Sequence, residues 1–94
     1  MGARMLEFGQ KQAAAPVADL IRDVTEATFM MDVIETSREV PVIVDFWAPW
    51  CGPCKTLGPA LEAAVTAAKG KVRMAKVNVD EEPDLAVEYG IRNI

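Results

Sequence analysis

The sequence predicts an α/β fold in which three parallel strands alternate with three helices. Runs of β-branched and apolar residues alternate along the chain with segments whose apolar residues recur at helical spacing. One run, residues 42–48 (VIVDFWA), is apolar almost throughout, as is typical of a strand covered by helices on both faces of a sheet. The order β-α-β-α-β-α therefore indicates right-handed crossovers and a parallel sheet with helices on its faces.

The first part of the domain supplies a strand, a helix and a second strand. Residues 20–24 (LIRDV) predict the first strand. Thr25 is suited to cap a helix over residues 26–37, because its side-chain oxygen can accept an unpaired backbone N–H. The apolar face of that helix is expected to consist of Phe29, Val33 and Ile34. A turn over residues 38–41 then leads into the second strand, residues 42–48.

A long helix is predicted over residues 51–68, after Pro49. Its apolar residues recur three or four positions apart: Leu57, Leu61, Ala64, Val65 and Ala68. Pro59 should kink this helix, because proline removes an interior hydrogen bond and clashes with the preceding turn. Gly70 is expected to end the helix.

A third strand and a short helix complete the predicted fold. Residues 71–80 (KVRMAKVNVD) alternate between polar and apolar side chains, which predicts a strand. Residues 82–89 predict a short helix, with Pro83 in its first turn and Gly90 directly behind it.

The chain is long enough for one small domain, which we place at residues 20–94. Residues 1–19 combine Gly, Gln, an Ala run and Pro without a sustained period, so we expect a flexible N-terminal leader. The alternative is a short helix there that packs on the domain or on a partner.

Charge and hydropathy predict a cytoplasmic protein that contacts neither membranes nor nucleic acid. No apolar run approaches the roughly 18 residues that a membrane-spanning helix needs, and the N-terminus lacks an apolar signal segment. The formal net charge is −4, with the ten basic residues scattered among fourteen acidic ones. Such a surface offers no positive field to a phosphate backbone.

The chain has no histidine and only two cysteines, Cys51 and Cys54. The lack of histidine removes the usual general base and the commonest metal ligand, and it excludes Cys-His catalysis. Two cysteines cannot build the disulfide framework of a small secreted domain. A zinc site would need ligands from two chains or from water, so we expect no metal site. The cysteines are therefore either a reactive pair or an inert one.

The stretch WCGPC favours the reactive pair. A helix that begins at or near Cys51 directs unpaired N–H groups and its positive dipole end at that sulfur, which lowers the thiol pKa. Cys51 is therefore the predicted nucleophile. Cys54, one turn further and within disulfide reach, is expected to lie deeper and to be the resolving thiol. Gly52 would allow a close turn, and Pro53 would give up an N–H without a helical partner. Both residues are expected to tune the redox properties of the pair.

Asp45 is a carboxylate inside the apolar strand of residues 42–48, so burial should raise its pKa. It lies in the C-terminal half of that strand, where ligands and chemistry collect in open α/β sheets. We predict that Asp45 takes the proton of Cys54 through a water molecule while Cys54 attacks a mixed disulfide. The alternative is a structural acid satisfied by hydrogen bonds.

The segment VDFWAPWCGPCK, residues 44–55, resembles the active-site segment of the thioredoxin family. Residues 75–80 (AKVNVD) resemble the third strand of that family, and residues 89–94 (YGIRNI) resemble the segment that leads into its substrate-binding loop. The resemblance covers residues 20–94 and implies a thioredoxin-like fold with strand order 1-3-2.

It also implies a protein-disulfide reductase whose redox centre is a Cys51–Cys54 disulfide and which binds no cofactor. Cys51 would attack the disulfide of a protein substrate, and Cys54 would release the reduced product. Electrons would come from the flavin- and NADPH-dependent thioredoxin reductase.

The resemblance further implies roles for residues around the cysteines. Asp45 would be the buried acid of the family. Lys76 would be its neighbour on the third strand and one of the catalytic residues; the alternative for Lys76 is a solvated surface charge. Trp50 and Ile94 would contact docked protein substrates. Two further residues are expected to be structural: Trp47, which would pack in the core, and Pro59, which follows the motif.

The sequence departs from the family at its C-terminal end. Family members continue with a cis-proline, two antiparallel strands and a closing helix, none of which lies within these 94 residues. We therefore expect a truncated domain with impaired activity, in which strand 42–48 lies at a sheet edge and supports a homodimer or a domain swap. The alternative function is a binding module, the thioredoxin-like domain of a bacterial co-chaperone that holds unfolded clients.

Overall fold

The computed structural model describes residues 17–94. Most of the predicted leader, residues 1–19, thus lies outside the described residues. Helix α1, Val17–Leu20, is the first described element, and strand β1, Ile21–Asp23, follows it directly. The first strand is therefore shorter at both ends than the predicted residues 20–24.

The three strands form one parallel sheet in the order β1-β3-β2, where β2 is Val42–Trp47 and β3 is Arg73–Asn78. The predicted α/β class and the 1-3-2 strand order are confirmed. β2 and β3 end one or two residues short of the predicted strands. β2 pairs on one side only within the described residues, and the dimer or swap through this strand stays a prediction.

The two faces of the sheet carry different apolar clusters, because side chains alternate along β3. One cluster holds Ala75 and Val77 of β3 with Val24, Phe29, Val33 and Leu85. The other holds Met74 with Leu20 and Val65. Helical segments therefore cover both faces, as the apolar second strand predicted.

The segment predicted as an α-helix over residues 26–37 is instead a π-helix, Met30–Glu35, followed by a 3₁₀ turn, Thr36–Arg38. The hydroxyl of Thr36 donates a hydrogen bond at 3.0 Å to the carbonyl of Met31, five residues earlier. This side-chain bond spans the wide turn that a π-helix makes. The α-helix prediction was wrong here, although the segment is helical.

The entry into this π-helical segment uses the predicted capping chemistry. Thr25 Oγ1 accepts the backbone N–H of Thr28 at 3.3 Å, and Thr28 Oγ1 accepts the N–H of Thr25 at 3.0 Å. The predicted apolar face is confirmed, since its three members lie in or against the core: Phe29, Val33 and Ile34.

Helix α2, Cys54–Ala67, begins three residues later than the predicted 51–68. Pro59 lies inside it, and the kink predicted there stays a prediction. Lys69 and Gly70 follow with φ of 54° and 94°, the left-handed conformation that ends helices. The predicted stop at Gly70 is confirmed.

Helix α3, Pro83–Glu88, carries its proline at the start and is followed by Gly90 with φ of 70°. It lies within the predicted residues 82–89. No helix in the described part of the chain combines the length and apolarity needed to cross a bilayer.

Candidate active site

Cys51 and Cys54 form a disulfide at the N-terminal end of α2, with their Cα atoms 5.3 Å apart. A turn carries the chain from β2 to the helix, and in it the Cys51 N–H donates to the Ala48 carbonyl at 3.0 Å. The N–H of Cys54, the first helical residue, donates to Cys51 Sγ at 3.2 Å. An amide at the helix N-terminus thus points at the sulfur of Cys51, an arrangement that stabilises a thiolate there.

The relative depth of the two cysteines differs from the prediction. Cys51 is buried, with 3% of the residue exposed, whereas Cys54 is only half-buried. The turn folds Cys51 back onto the end of β2, and Cys54 begins the helix beside a cavity. Our expectation that Cys54 lies deeper was therefore wrong for the disulfide form, so depth cannot assign the nucleophile. The N–H on Cys51 Sγ remains the observation that favours Cys51.

Of the two residues between the cysteines, the geometry explains the residue type at Pro53 but not at Gly52. Pro53 is the N-cap of α2 with φ of −59°, where its missing N–H costs no helical bond. Gly52 does not have positive φ, and a Cβ there would meet nothing within 4 Å. The geometry therefore gives no steric reason for glycine at position 52, in contrast to the predicted close turn.

Asp45 is 7% exposed and lies on β2 under helix α2. The helix approaches it closely at Gly58, where a Cβ would lie 3.8 Å from Asp45 Oδ2. Burial raises the pKa of Asp45; the positive charge of Lys76 lowers it, and the negative charge of Glu62 raises it further. The predicted upward shift is confirmed, and its main cause is desolvation.

Asp45 and Cys54 line the same cavity of about 400 Å³ between β2, β3 and α2. A cavity of this size has room for water molecules, and the charged groups on its lining, such as the Asp45 carboxyl, can bind them. The other side chains around it include Trp47, Gly58, Glu62 and Lys76. The cavity places the carboxyl group and the predicted resolving cysteine on one water-accessible surface, while Cys51 lies outside its lining.

Lys76 is the strand neighbour of Asp45, directly opposite it in the register of β2 and β3. Its ammonium nevertheless bonds to another residue: Nζ donates to Glu62 Oε2 at 2.9 Å. Nζ also lies 5.7 Å from the centre of the Trp47 ring, a cation-π distance. The bond to Glu62 is the main cause of a raised Lys76 pKa.

Glu62 is the site residue that sequence reasoning missed. A signal was available, because Cys54, Gly58 and Glu62 recur at intervals of four residues and therefore share one face of α2. That face is the one that covers Asp45.

Trp50 directly precedes Cys51 in the chain and is 61% exposed. Its Nε1 donates to Asp80 Oδ2 at 3.0 Å, a contact that the sequence did not predict. Trp50 and Ile94 line a second cavity, of about 240 Å³, together with apolar residues such as Val87 and Ile91. The structure thus brings together the two predicted substrate contacts.

The two residues expected to be structural, Trp47 and Pro59, both line the first cavity. Trp47 is half-buried at the end of β2, and its buried Nε1 has no hydrogen-bond partner within residues 17–94. Pro59 is exposed on α2. No group of three or more His, Cys, Asp or Glu side chains in the described residues could hold a metal ion.

Comparison with known proteins identifies a family and several relatives. The family model described as Thioredoxin matches residues 20–94. The chain is 48% identical over 71 residues to Thioredoxin 1 of Nostoc sp., which covers 76% of this chain and 64% of that protein. It is 47% identical over 75 residues to the Thioredoxin of Rickettsia felis, covering 80% and 70%.

A third relative, Thioredoxin M-type, chloroplastic, of Spinacia oleracea, is 45% identical over 74 residues, or 79% of this chain and 40% of that protein. The chain spans about two thirds of the length of the first two relatives. The family match covers the three-stranded sheet, the disulfide at the start of α2 and the buried Asp45. Sequence, fold and site agree in this assignment, and the chain belongs to the thioredoxin family.

Proposed function

We propose that this chain is a thiol-disulfide oxidoreductase that reduces disulfides in proteins. The observation that carries the proposal is the Cys51–Cys54 disulfide with the Cys54 N–H directed at Cys51 Sγ. In the reduced form, the same amide would stabilise a Cys51 thiolate, which is the reactive species in thiol-disulfide exchange.

The reaction consists of two exchange steps. The Cys51 thiolate attacks one sulfur of the substrate disulfide; a Cys51–substrate disulfide forms, and the other substrate sulfur leaves as a thiolate. The Cys54 thiolate then attacks Cys51 Sγ, which forms the Cys51–Cys54 disulfide and releases the second substrate thiolate. Two electrons pass from the dithiol to the substrate, and the leaving thiolates take up protons.

Asp45 supplies the base for the second step. The Cys54 thiol must lose its proton before it attacks, and Asp45 lines the same cavity. Its raised pKa makes the carboxylate a stronger base than an exposed aspartate, and one water can connect the two groups. Proton transfer from Cys54 to Asp45 would accompany attack on the mixed disulfide.

The proposed partners follow from the two ends of this cycle. Protein disulfides would dock at the apolar surface of Trp50 and Ile94 beside the cysteines. The oxidised form would be reduced by thioredoxin reductase, which supplies electrons from NADPH through its flavin. Neither step needs a cofactor bound to this chain.

Reduction of insulin by dithiothreitol tests the function directly. We expect catalytic amounts of the chain to accelerate precipitation of the insulin B chain over the uncatalysed rate. The co-chaperone alternative predicts instead no acceleration, with suppression of client aggregation that Cys51→Ser does not change. That pair of results would overturn the proposal, and family membership of the named relatives favours the reductase outcome.

Replacing Asp45 with asparagine should slow the second exchange step at pH 7 on the order of 10²-fold, since Asn cannot accept the proton. The difference in rate between the variant and the parent chain should narrow as pH approaches about 8.5, where a free thiol ionises without a general base. Single-turnover release of the second substrate thiol from a preformed mixed disulfide measures this step. Equal rates for the variant and the parent chain across pH 6 to 9 would remove Asp45 from the mechanism.

The same variant should also change the pH dependence of stability. Because folding raises the Asp45 pKa, the contribution of this group to stability is fully present below the unfolded pKa. That contribution is lost as pH rises through the folded pKa. Asp45→Asn lacks this loss and should be more stable near pH 8 by at least about 1 kcal/mol in urea unfolding. The exposed-carboxylate control, Glu39→Gln, should show no such gain.

A further inference from the structure

We propose that Glu62 is a positioning residue that competes with Asp45 for the ammonium group of Lys76 and so keeps Asp45 available as a proton acceptor. The inference rests on the proposed role of Asp45 in resolving the mixed disulfide. Glu62 would touch neither substrate nor the cysteines; it would act through Lys76.

The sheet register places Asp45 and Lys76 directly opposite each other on neighbouring strands. Opposite charges on neighbouring strands at such positions attract each other. A bonded ammonium would stabilise the Asp45 carboxylate in its ionised form and weaken it as a base. The register alone therefore creates a conflict with the chemistry proposed for Asp45.

Helix α2 resolves this conflict by supplying a second carboxylate. Lys76 Nζ bonds to Glu62 Oε2 at 2.9 Å and lies over the Trp47 ring, 5.7 Å from its centre. In this position, the negative charge of Glu62 compensates the positive charge of the Lys76 ammonium group. The pKa directions agree with this geometry, because Lys76 lowers the pKa of Asp45 whereas Glu62 raises it.

The charged and titratable groups around Asp45 come from three elements. Helix α2 contributes Cys54, Lys55 and Glu62 to the shared cavity, and β3 contributes Lys76. Strand β1 places Asp23 opposite Lys76 on the other side, where its charge also raises the Lys76 pKa. Of these groups, Glu62 is the one whose carboxylate bonds to Lys76.

A purely stabilising role for the Glu62–Lys76 pair would be small. The two side chains are 36% and 25% exposed, and pairs so accessible to water contribute little to the stability of a fold. Glu62→Gln should therefore remain folded, with a urea midpoint close to that of the parent chain. The substitution should instead change the pKa of Asp45.

The test is a ¹³C NMR titration of the Asp45 carboxyl group in the disulfide form of the full chain. Glu62→Gln should move the Asp45 midpoint to lower pH, because a raising charge is lost and Lys76 is freed to approach Asp45. Glu62→Asp, which keeps a carboxylate, should restore the midpoint toward the parent value. The control Glu39→Gln should leave it unchanged.

Lys76→Met separates competition for the ammonium from the direct effect of the Glu62 charge. In that background, Glu62→Gln should lower the Asp45 midpoint less than in the parent chain, because no ammonium remains to be released. An unmoved or raised midpoint in Glu62→Gln would overturn the proposal. Equal shifts in both backgrounds would also overturn it.

The titration needs no turnover, so its outcome is independent of whether insulin is reduced. A chain that shows the expected midpoints but no insulin reduction would refute the proposed function and leave the Glu62 coupling intact. In an active chain, Glu62→Gln should slow resolution of a preformed mixed disulfide at pH 7, by less than Asp45→Asn does. If Glu62→Gln changed neither the rate of mixed-disulfide resolution nor the Asp45 midpoint, Glu62 would have no part in setting the pKa of Asp45.

Discussion

Replacing Cys54 with serine is expected to arrest the chain as a stable mixed disulfide with its protein substrate, whereas Cys51→Ser should not react at all. The reason is that, in the proposed mechanism, the Cys54 N–H would stabilise a thiolate on Cys51, so the first attack would depend on that sulfur. Loss of either thiol should reduce insulin reduction by at least about 10³-fold, since both act in one reaction sequence.

The two variants are each other's control, because both remove one thiol and the same disulfide. Non-reducing electrophoresis and mass spectrometry should find the substrate adduct on Cys54→Ser alone. The reverse result, an adduct on Cys51→Ser only, would exchange the roles of the two sulfurs. That outcome has to be tested because Cys51 is the more buried residue in the disulfide form.

Met74→Ala is expected to destabilise the chain by about 2 to 5 kcal/mol, the range for truncating a buried methionine. Met74 is 2% exposed on the central strand, and it packs with Leu20 and Val65. The free energy of unfolding of small domains is about 5 to 15 kcal/mol, so this one change should remove a large part of it. Urea unfolding of the disulfide form, followed by circular dichroism, measures the difference.

Met30→Ala provides the matched control, because the same atoms are removed from a side chain whose residue is 59% exposed. It should change the free energy of unfolding by no more than about 0.5 kcal/mol. Similar losses for Met30 and Met74 would mean that β3 does not form the centre of the core.

The order of the elements could be predicted because it depends on local patterns. The apolar run over residues 42–48 predicted strand β2, and glycines 70 and 90 marked the ends of two helices. The π-helix at Met30–Glu35 could not be predicted in this way. Apolar residues three and four apart suit either helix type, and the choice depends on hydrogen bonds such as the one from Thr36 to Met31.

The candidate site was predictable where one residue stood out from its neighbours. Asp45 interrupts an apolar strand, and the cysteines are the only two in the chain. Glu62 does not stand out, because charged residues are ordinary on a helix. Its significance comes from Lys76, which lies 14 positions away and reaches it only through the folded sheet. The depth of Cys51 likewise depends on how the turn folds back on Ala48.

Burial of the Asp45 carboxyl group costs stability, and the proposed mechanism needs the same group for activity. A search for variants that withstand heat, made without regard to catalysis, should favour leucine or asparagine at that position early. The variants recovered in this way would have higher thermal stability. They would have lost the Asp45 carboxyl group, which is proposed to take the Cys54 proton in each catalytic cycle.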